Sequence, residues 1–300
     1  MKILLLGKDG QVGWELQRAL APLGTLVAAG RAQADLGEPE RVADFIRAQA
    51  PDLIVNAAAY TAVDKAETDA HTAFRINAEA AGVIAAEAAR AGAWLVHYST
   101  DYVFDGEQSA PYTETDAVNP LSVYGRSKLE GENLIRAHCP RHLIFRTCWV
   151  HAARGGNFAK TMLRLATERE ELKVVCDQFG APTSAELIAD VTALAVHRLL
   201  AQDDPAALAG TYHLAAAGTT SWHGYAQYVL EQARERGMPV RVAPDRLLPI
   251  PAADYPTPAR RPRNSMLDTT RLQQAFQLQL PDWRHHVARL VAELAERGKP

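Results

Sequence analysis

The sequence predicts an α/β fold in which a doubly wound parallel sheet carries helices on both faces and a smaller α/β region follows. Three features predict it. Apolar runs alternate with helix-period segments through the first half, the connections between them are short, and the strand candidates are apolar on both faces rather than alternating. Ile3–Leu6 is the first such run. Gln11–Leu23 is the expected first helix, with Val12, Leu16, Ala19, Leu20 and Leu23 at helical spacing. Thr25–Ala29 reads as the second strand, and Pro39 precedes a helix carrying Val42, Phe45 and Ile46. Leu53–Val55, Ala93–Tyr98 and His142–Arg146 are the next expected strands, separated by an Ala-rich helix over Ala73–Ala91 and another over Val123–His138.

The pattern then loosens. Helices are expected at Phe158–Ala166 and Leu187–Leu200, a strand at Gly210–Leu214, a helix from an N-cap at Ser221 to Gly237, and a last helix at Trp283–Arg297. The stretch Val240–Asn264 holds six prolines between Pro244 and Pro262, so it is expected to be extended, without regular structure. Residues 1–147 should form a nucleotide-binding domain. Residues 148–300 should form the substrate-binding region over its carboxyl edge, with about 185–215 packing back on the first part.

Composition bounds the function. The chain has 300 residues, 48% of them hydrophobic, with 32 basic against 35 acidic residues. That is enough for a large core, and the near-balance of charge argues against a nucleic-acid partner and against disorder. No apolar run reaches the ~18–20 residues of a membrane helix, and Met1–Leu6 meets Gly7 too soon for a signal peptide. Cys139, Cys148 and Cys176 lack CxxC spacing and read as reduced thiols of a cytoplasmic protein. The ten histidines offer no zinc set, and the adjacent His285 and His286 point different ways on a helix.

After the first strand comes Gly7-Lys8-Asp9-Gly10-Gln11-Val12-Gly13, a G-x-x-G-x-x-G turn between strand and helix. Glycines there permit a tight turn, close approach of a pyrophosphate to the backbone, and free N–H groups at the helix start. This points to a dinucleotide on a Rossmann-type domain. The second strand ends Ala28-Ala29-Gly30-Arg31, with no acid for a ribose 2′-hydroxyl and a cation beside it. Arg31 therefore favours NADPH, or dual use with NADH, unless it is an ordinary solvated arginine. Asp35 and Leu36 are candidates to flank the adenine.

Tyr124 and Lys128 stand i, i+4 on a helix, so their side chains share a face. An ammonium beside a phenol should lower its pKa and make Tyr124 a proton donor or acceptor near neutrality. Thr100, at the carboxyl end of the fourth strand, can bond the same substrate oxygen.

These residues make the chain resemble the extended short-chain dehydrogenase/reductases and, within them, the dTDP-4-dehydrorhamnose reductases of bacterial L-rhamnose synthesis. The likeness runs nearly end to end, through Val55–Glu67, Ser99–Phe104, Val123–Lys128, Phe145–Val150, Asn157–Met162, Asp177–Thr183 and Tyr255–Ala259. It implies NAD(P)H-dependent reduction of the C4 ketone of dTDP-4-dehydro-β-L-rhamnose to dTDP-β-L-rhamnose. It implies that Tyr124 donates the proton, that Lys128 tunes it and holds the ribose, and that Thr100, Asp101 and Trp149 contact the sugar. Gly10, Gln11 and Val12 would line the cofactor phosphates, and Ala59, Tyr60, Thr61 and Tyr98 the rest of it. Related 4,6-dehydratases carry a glutamate base directly after Thr-Asp; here Tyr102 stands there, which fits ketone reduction and not elimination. The likeness further implies a homodimer bridged by Mg²⁺, with Glu15, Glu186 and Glu293 as the matching carboxylates. The Arg260–Arg263 stretch either faces a diphosphate or is a basic turn. Two rivals stay open: a reductase or epimerase of another nucleotide sugar, and a regulatory subunit on the same fold.

Overall fold

Six parallel strands form the central sheet of the computed structural model, which describes residues 1–297; positions 298–300 of the expected C-terminal region lie outside the described residues. The first half supplies β1 (Lys2–Leu6), β2 (Thr25–Ala29), β3 (Leu53–Asn56), β4 (Trp94–Thr100) and β5 (His142–Thr147). The strand Gly210–His213 pairs with β5 at the far edge, so the order across the sheet ends β5-β4-β3-β1-β2. The direction of winding reverses between β1 and β3, which opens a crevice beyond their carboxyl ends.

Strand alternation sorts β1 into two cores. Ile3 and Leu5 join Leu16, Leu20, Val55, Val96, Phe145, Ile188 and Val191 on one face. Leu4 and Leu6 join Val42, Ile46, Ile54, Ile84, Leu95, Ile135 and Ile144 on the other. Helix α1 (Gln11–Leu20) packs with the helix Ala185–Leu200 over the first face. Helices α2 (Pro39–Gln49), α5 (Ala80–Ala91) and α6 (Val123–His138) cover the second. No helix among the described residues is long and apolar enough to cross a membrane.

The structure departs from the sequence expectation in four places. Helix α1 stops at Leu20, and Ala21–Leu23 tightens into a 3₁₀ turn around Pro22, which cannot continue the ladder. Strand β4 runs on to Thr100, because Ser99 and Thr100 pair with Arg146 and Thr147 of β5. The proline-rich stretch is not wholly irregular: Leu247–Ile250 is a strand, parallel to Leu172–Val175, and Pro249 is tolerated on this two-stranded edge. The Ala-rich helix is broken. Short helices α3 (Val63–Ala66) and α4 (Ala70–Phe74) precede a π turn over Arg75–Glu79, and α5 begins only at Ala80.

Asn77 explains that break. Its buried side chain leaves the helical pattern to serve the neighbouring loop: Oδ1 accepts from the Tyr60 N–H (2.8 Å), and Nδ2 donates to the Tyr60 carbonyl (3.0 Å) and Ser127 Oγ (3.0 Å). One amide thus pins the loop after β3 to α6. Asn77→Ala leaves these groups unpaired in the interior and should cost ~1–3 kcal/mol, read as a lower urea midpoint. A midpoint equal to wild type would show that the amide ties nothing together.

Candidate active site

The crevice at the carboxyl edge is a cleft of about 650 Å³. Its floor is the glycine turn. Gly7 adopts φ +86°, and a Cβ there would sit 2.7 Å from the Ala58 nitrogen; a Cβ on Gly13 would strike the Gly7 carbonyl. The turn is tied to the end of β2 by Gly7 N–H and Lys8 N–H, both donating to the Ala29 carbonyl (2.9 and 3.2 Å). No side chain caps α1 and no acid stands in its first turn, so its leading N–H groups remain free for an anion. A dinucleotide pyrophosphate fits this cradle.

Of the residues expected to meet a cofactor, Gly7, Gly10, Gln11, Val12, Arg31, Asp35, Leu36, Ala59, Thr61, Tyr98, Tyr124 and Lys128 line the cleft. Gly13 and Tyr60 do not. Gly13 is buried in the packing of α1 on the turn, and the Tyr60 phenol donates outward to Asp69 Oδ2 (3.2 Å). Arg31 is exposed, and its Nε donates to Asp35 Oδ2 (2.9 Å); that bond holds the Asp35 carboxyl below its usual range. Tyr98 hydrogen-bonds Thr192 Oγ1 (2.8 Å), fastening β4 to the helix Ala185–Leu200.

Thr100, Asp101, Tyr124, Lys128 and Trp149 meet in the same cleft. Strand β4 delivers Thr100 and Asp101 to the sheet edge. Helix α6, capped by Ser122 Oγ on the Gly125 N–H (3.1 Å), delivers Tyr124 and Lys128. Thr100 Oγ1 donates to Asp101 Oδ1 (3.0 Å) and accepts from the Tyr102 N–H (3.1 Å). Asp101 Oδ2 is buried without a hydrogen bond of full geometry among the described residues, and burial pushes its carboxyl up to about 6, with the Ser265 and Thr100 hydroxyls pulling the other way.

Tyr124 departs from the sequence expectation. Burial pushes its phenol up to about 12, with the Thr100 hydroxyl pulling in the other direction. Lys128 does not lower it, because its Nζ faces away: it donates to the Tyr98 carbonyl (2.7 Å) and bonds His97 Nε2 (3.0 Å). Burial brings Lys128 itself down to about 8, with Glu132 opposing. His97 is buried, bridges Lys128 and Asn56 Nδ2 (3.2 Å), and is held neutral first by burial and then by Lys128. His97 reads as strand interior and Asn56 as the residue that follows the third strand, and the sequence singles out neither for the site.

Tyr102 lies edge-on to Tyr124, ring centroids 5.6 Å apart, and burial raises its phenol. It is no base. Trp149 takes φ +47° and stacks on Trp222 with centroids 3.7 Å apart, closing one wall. Cys148 also lines the cleft; its thiol donates to the Ala181 carbonyl (3.2 Å), and burial pushes it up to about 12. Arg261 is held by both Asp64 oxygens (3.0 and 2.8 Å), while Arg263 lines a separate cavity.

Glu15, Glu186 and Glu293 line a second cavity of about 400 Å³, beside His151 and His286. Glu186 accepts from Arg289 (2.8 Å), and Glu293 is paired with Arg297. Burial raises the Glu15 carboxyl; Arg18 opposes, and Glu186 and Glu293 add to the rise. Among the described residues no three His, Cys, Asp or Glu converge to hold a metal ion. One chain alone does not form the expected Mg²⁺ site.

Comparison with known proteins gives one family. The model described as RmlD substrate binding domain matches residues 1–296. A dTDP-4-dehydrorhamnose reductase of Escherichia coli (strain K12) is 56% identical, covering 98% of each chain. The crystal structure of a dTDP-4-dehydrorhamnose reductase from Clostridium acetobutylicum superposes with a TM-score of 0.88 at 35% identity, covering 98% of this chain and 99% of that one. The Bacillus anthracis enzyme of that name, in complex with NADP, superposes at 0.86 with 32% identity, covering 97% and 99%.

Proposed function

Because the chain belongs to the dTDP-4-dehydrorhamnose reductase family, we infer that it reduces the C4 ketone of dTDP-4-dehydro-β-L-rhamnose to the alcohol of dTDP-β-L-rhamnose. It is an NAD(P)H-dependent oxidoreductase. The observation that carries the reading is the convergence of Tyr124, Thr100 and Lys128 in the cleft floored by the glycine turn. Residues 1–147 are taken to bind the dinucleotide and 148–300 to complete the sugar site.

The glycine turn and the residues lining the cleft would hold the dinucleotide, which when bound would supply the hydride for the ketone carbon. Tyr124 gives its phenolic proton to the C4 oxygen, so the carbonyl gains one hydride and one proton. Thr100 Oγ orients that oxygen. Lys128, fixed by the Tyr98 carbonyl and His97, is the residue to hold the ribose of the dinucleotide, and Asp101, which lines the cleft beside Thr100, accepts from a sugar hydroxyl. Trp149 offers an apolar face to the ring. Tyr102, a phenol raised by burial, cannot remove the C5 proton, which speaks for reduction over elimination. A regulatory subunit on this fold would have no need of the donor set.

The protein is proposed to act in the cytoplasm as a homodimer; its cysteines are free. Trp14 on α1, next to Glu15 in the chain, and Leu194 on the helix packed against α1 are about half exposed. That apolar surface beside carboxylates suits a self-complementary face. A shared Mg²⁺ would need carboxylates from both copies. Light scattering should give a dimer mass, and a monomer with and without Mg²⁺ would sink this assembly.

Turnover is followed as NAD(P)H oxidation with the dTDP-4-keto sugar. Tyr124→Phe should lower kcat by about 10²–10⁴ while the Kd for NADPH stays within a few-fold; wild-type rates in the mutant would refute the donor role. The pH profile of kcat/KM follows from burial. Asp101 becomes a carboxylate as pH rises through about 6, so activity climbs there. Lys128 loses its proton through about 8, so activity falls there. Lys128→Arg keeps its charge and should remove the alkaline limb. A wild-type profile flat from pH 6 to pH 9 would contradict both assignments.

A further inference from the structure

We propose that Asp9, from the glycine turn, supplies the acid that reads the adenosine-ribose 2′-position, taking the place left empty by Gly30 at the end of β2. The inference rests on the reading of this cleft as the NAD(P)H site.

Parallel dinucleotide-binding sheets place an acid at the end of the second strand, where it accepts from the ribose 2′-hydroxyl. Gly30 has no side chain to do so. Its φ lies outside the left-handed region, so the backbone does not demand glycine, and what a side chain there would meet first is the tip of the Asp9 side chain. A Cβ built on Gly30 runs into Asp9 Oδ2. The Asp9 carboxylate therefore occupies the volume into which a side chain at position 30 would project.

The carboxylate is positioned for the task. The Ala29 carbonyl accepts from the Gly7 and Lys8 N–H groups and lays the turn against the strand end. Arg154 Nε donates to the Asp9 carbonyl (3.1 Å), anchoring the residue from the far wall. Lys8 Nζ engages Asp9 Oδ1 (2.9 Å). Oδ2, the oxygen over Gly30, accepts from nothing among the described residues. Asp9, Gly30 and Arg31 all line the cleft.

The neighbouring charges set the direction. Lys8 is paired with Asp9, and Arg31 with Asp35. A 2′-phosphate arriving here meets the Asp9 carboxylate and has to draw Arg31 from Asp35. A 2′-hydroxyl donates to Asp9 Oδ2 directly. Asp9 thus pulls the preference toward NADH, against the pull of Arg31, and dual use is the balance of the two.

The test is direct binding, read from nicotinamide fluorescence in titrations of the purified full chain with NADH and with NADPH. Asp9→Asn keeps the shape and removes the charge; it should shift the ratio of the two Kd values toward NADPH by about tenfold or more. The double variant Asp9→Ala with Gly30→Asp moves the carboxylate back to the strand end and should return the ratio toward NADH. A ratio for Asp9→Asn within twofold of wild type overturns the proposal. Failure of the wild type to bind either dinucleotide overturns the cleft assignment, and the proposal with it.

Discussion

A lysine ammonium buried beneath the sheet edge is the constraint on which the site depends. Lys128 is only 1% exposed, and a charge so placed must be met on every side. The Tyr98 carbonyl and His97 meet it from β4, and Glu132 lies one turn further along α6. Glu132 is itself buried and is gripped by Arg146 of β5 (2.9 and 2.7 Å) and by Arg136 (3.1 Å). Tyr124, Lys128 and Glu132 follow each other at i, i+4 and i+8, so one stripe of α6 faces β4 and β5. The register of that helix is fixed by charge. Slippage by one residue would leave a buried ammonium and a buried guanidinium without partners.

Close packing reinforces the register. A Cβ on Gly125 would strike the Tyr102 carbonyl, and one on Gly131 the Asn77 carbonyl. The helix can therefore lie directly on the chain segments that follow β3 and β4. Asn77 closes the circuit by holding Tyr60 and Ser127 together. The break in the Ala-rich helix is thus the local cost of a well-held catalytic helix.

Much of this was legible in the sequence, for a physical reason. The parallel sheet announces itself through doubly apolar runs such as Ile3–Leu6. The glycine turn and the Tyr124–Lys128 pair are local spacings, and local spacing survives folding. What could not be read depends on partners distant in the chain. The extension of β4 through Thr100 needs β5 beside it. The strand at Leu247–Ile250 needs Leu172–Val175, some 75 residues earlier in register. His97 and Asn56 carry no motif, and their link to Lys128 exists only once β3, β4 and α6 are assembled. The meaning of Gly30 likewise lies in Asp9, on a different loop. The expected effect of Lys128 on Tyr124 failed for the same reason: helical spacing gives a shared face, not the direction of Nζ.

That failure clarifies the chemistry. Desolvation acts on every ionisable group in the cleft in one sense, toward the neutral form. It lifts Tyr124 to about 12 and Cys148 to about 12, and it lowers Lys128 to about 8. A cleft of this kind holds its phenols protonated and offers no strong base among them. Removing a carbon-bound proton, as an elimination requires, is then unfavourable, because Tyr102 stands raised where a carboxylate would be needed. Giving a proton to an oxygen that becomes basic only as hydride arrives is favourable. The developing alkoxide is a stronger base than the Tyr124 phenolate, so even a phenol at about 12 transfers downhill. Burial, which disables the tyrosine as a base, is what commits it to act as an acid.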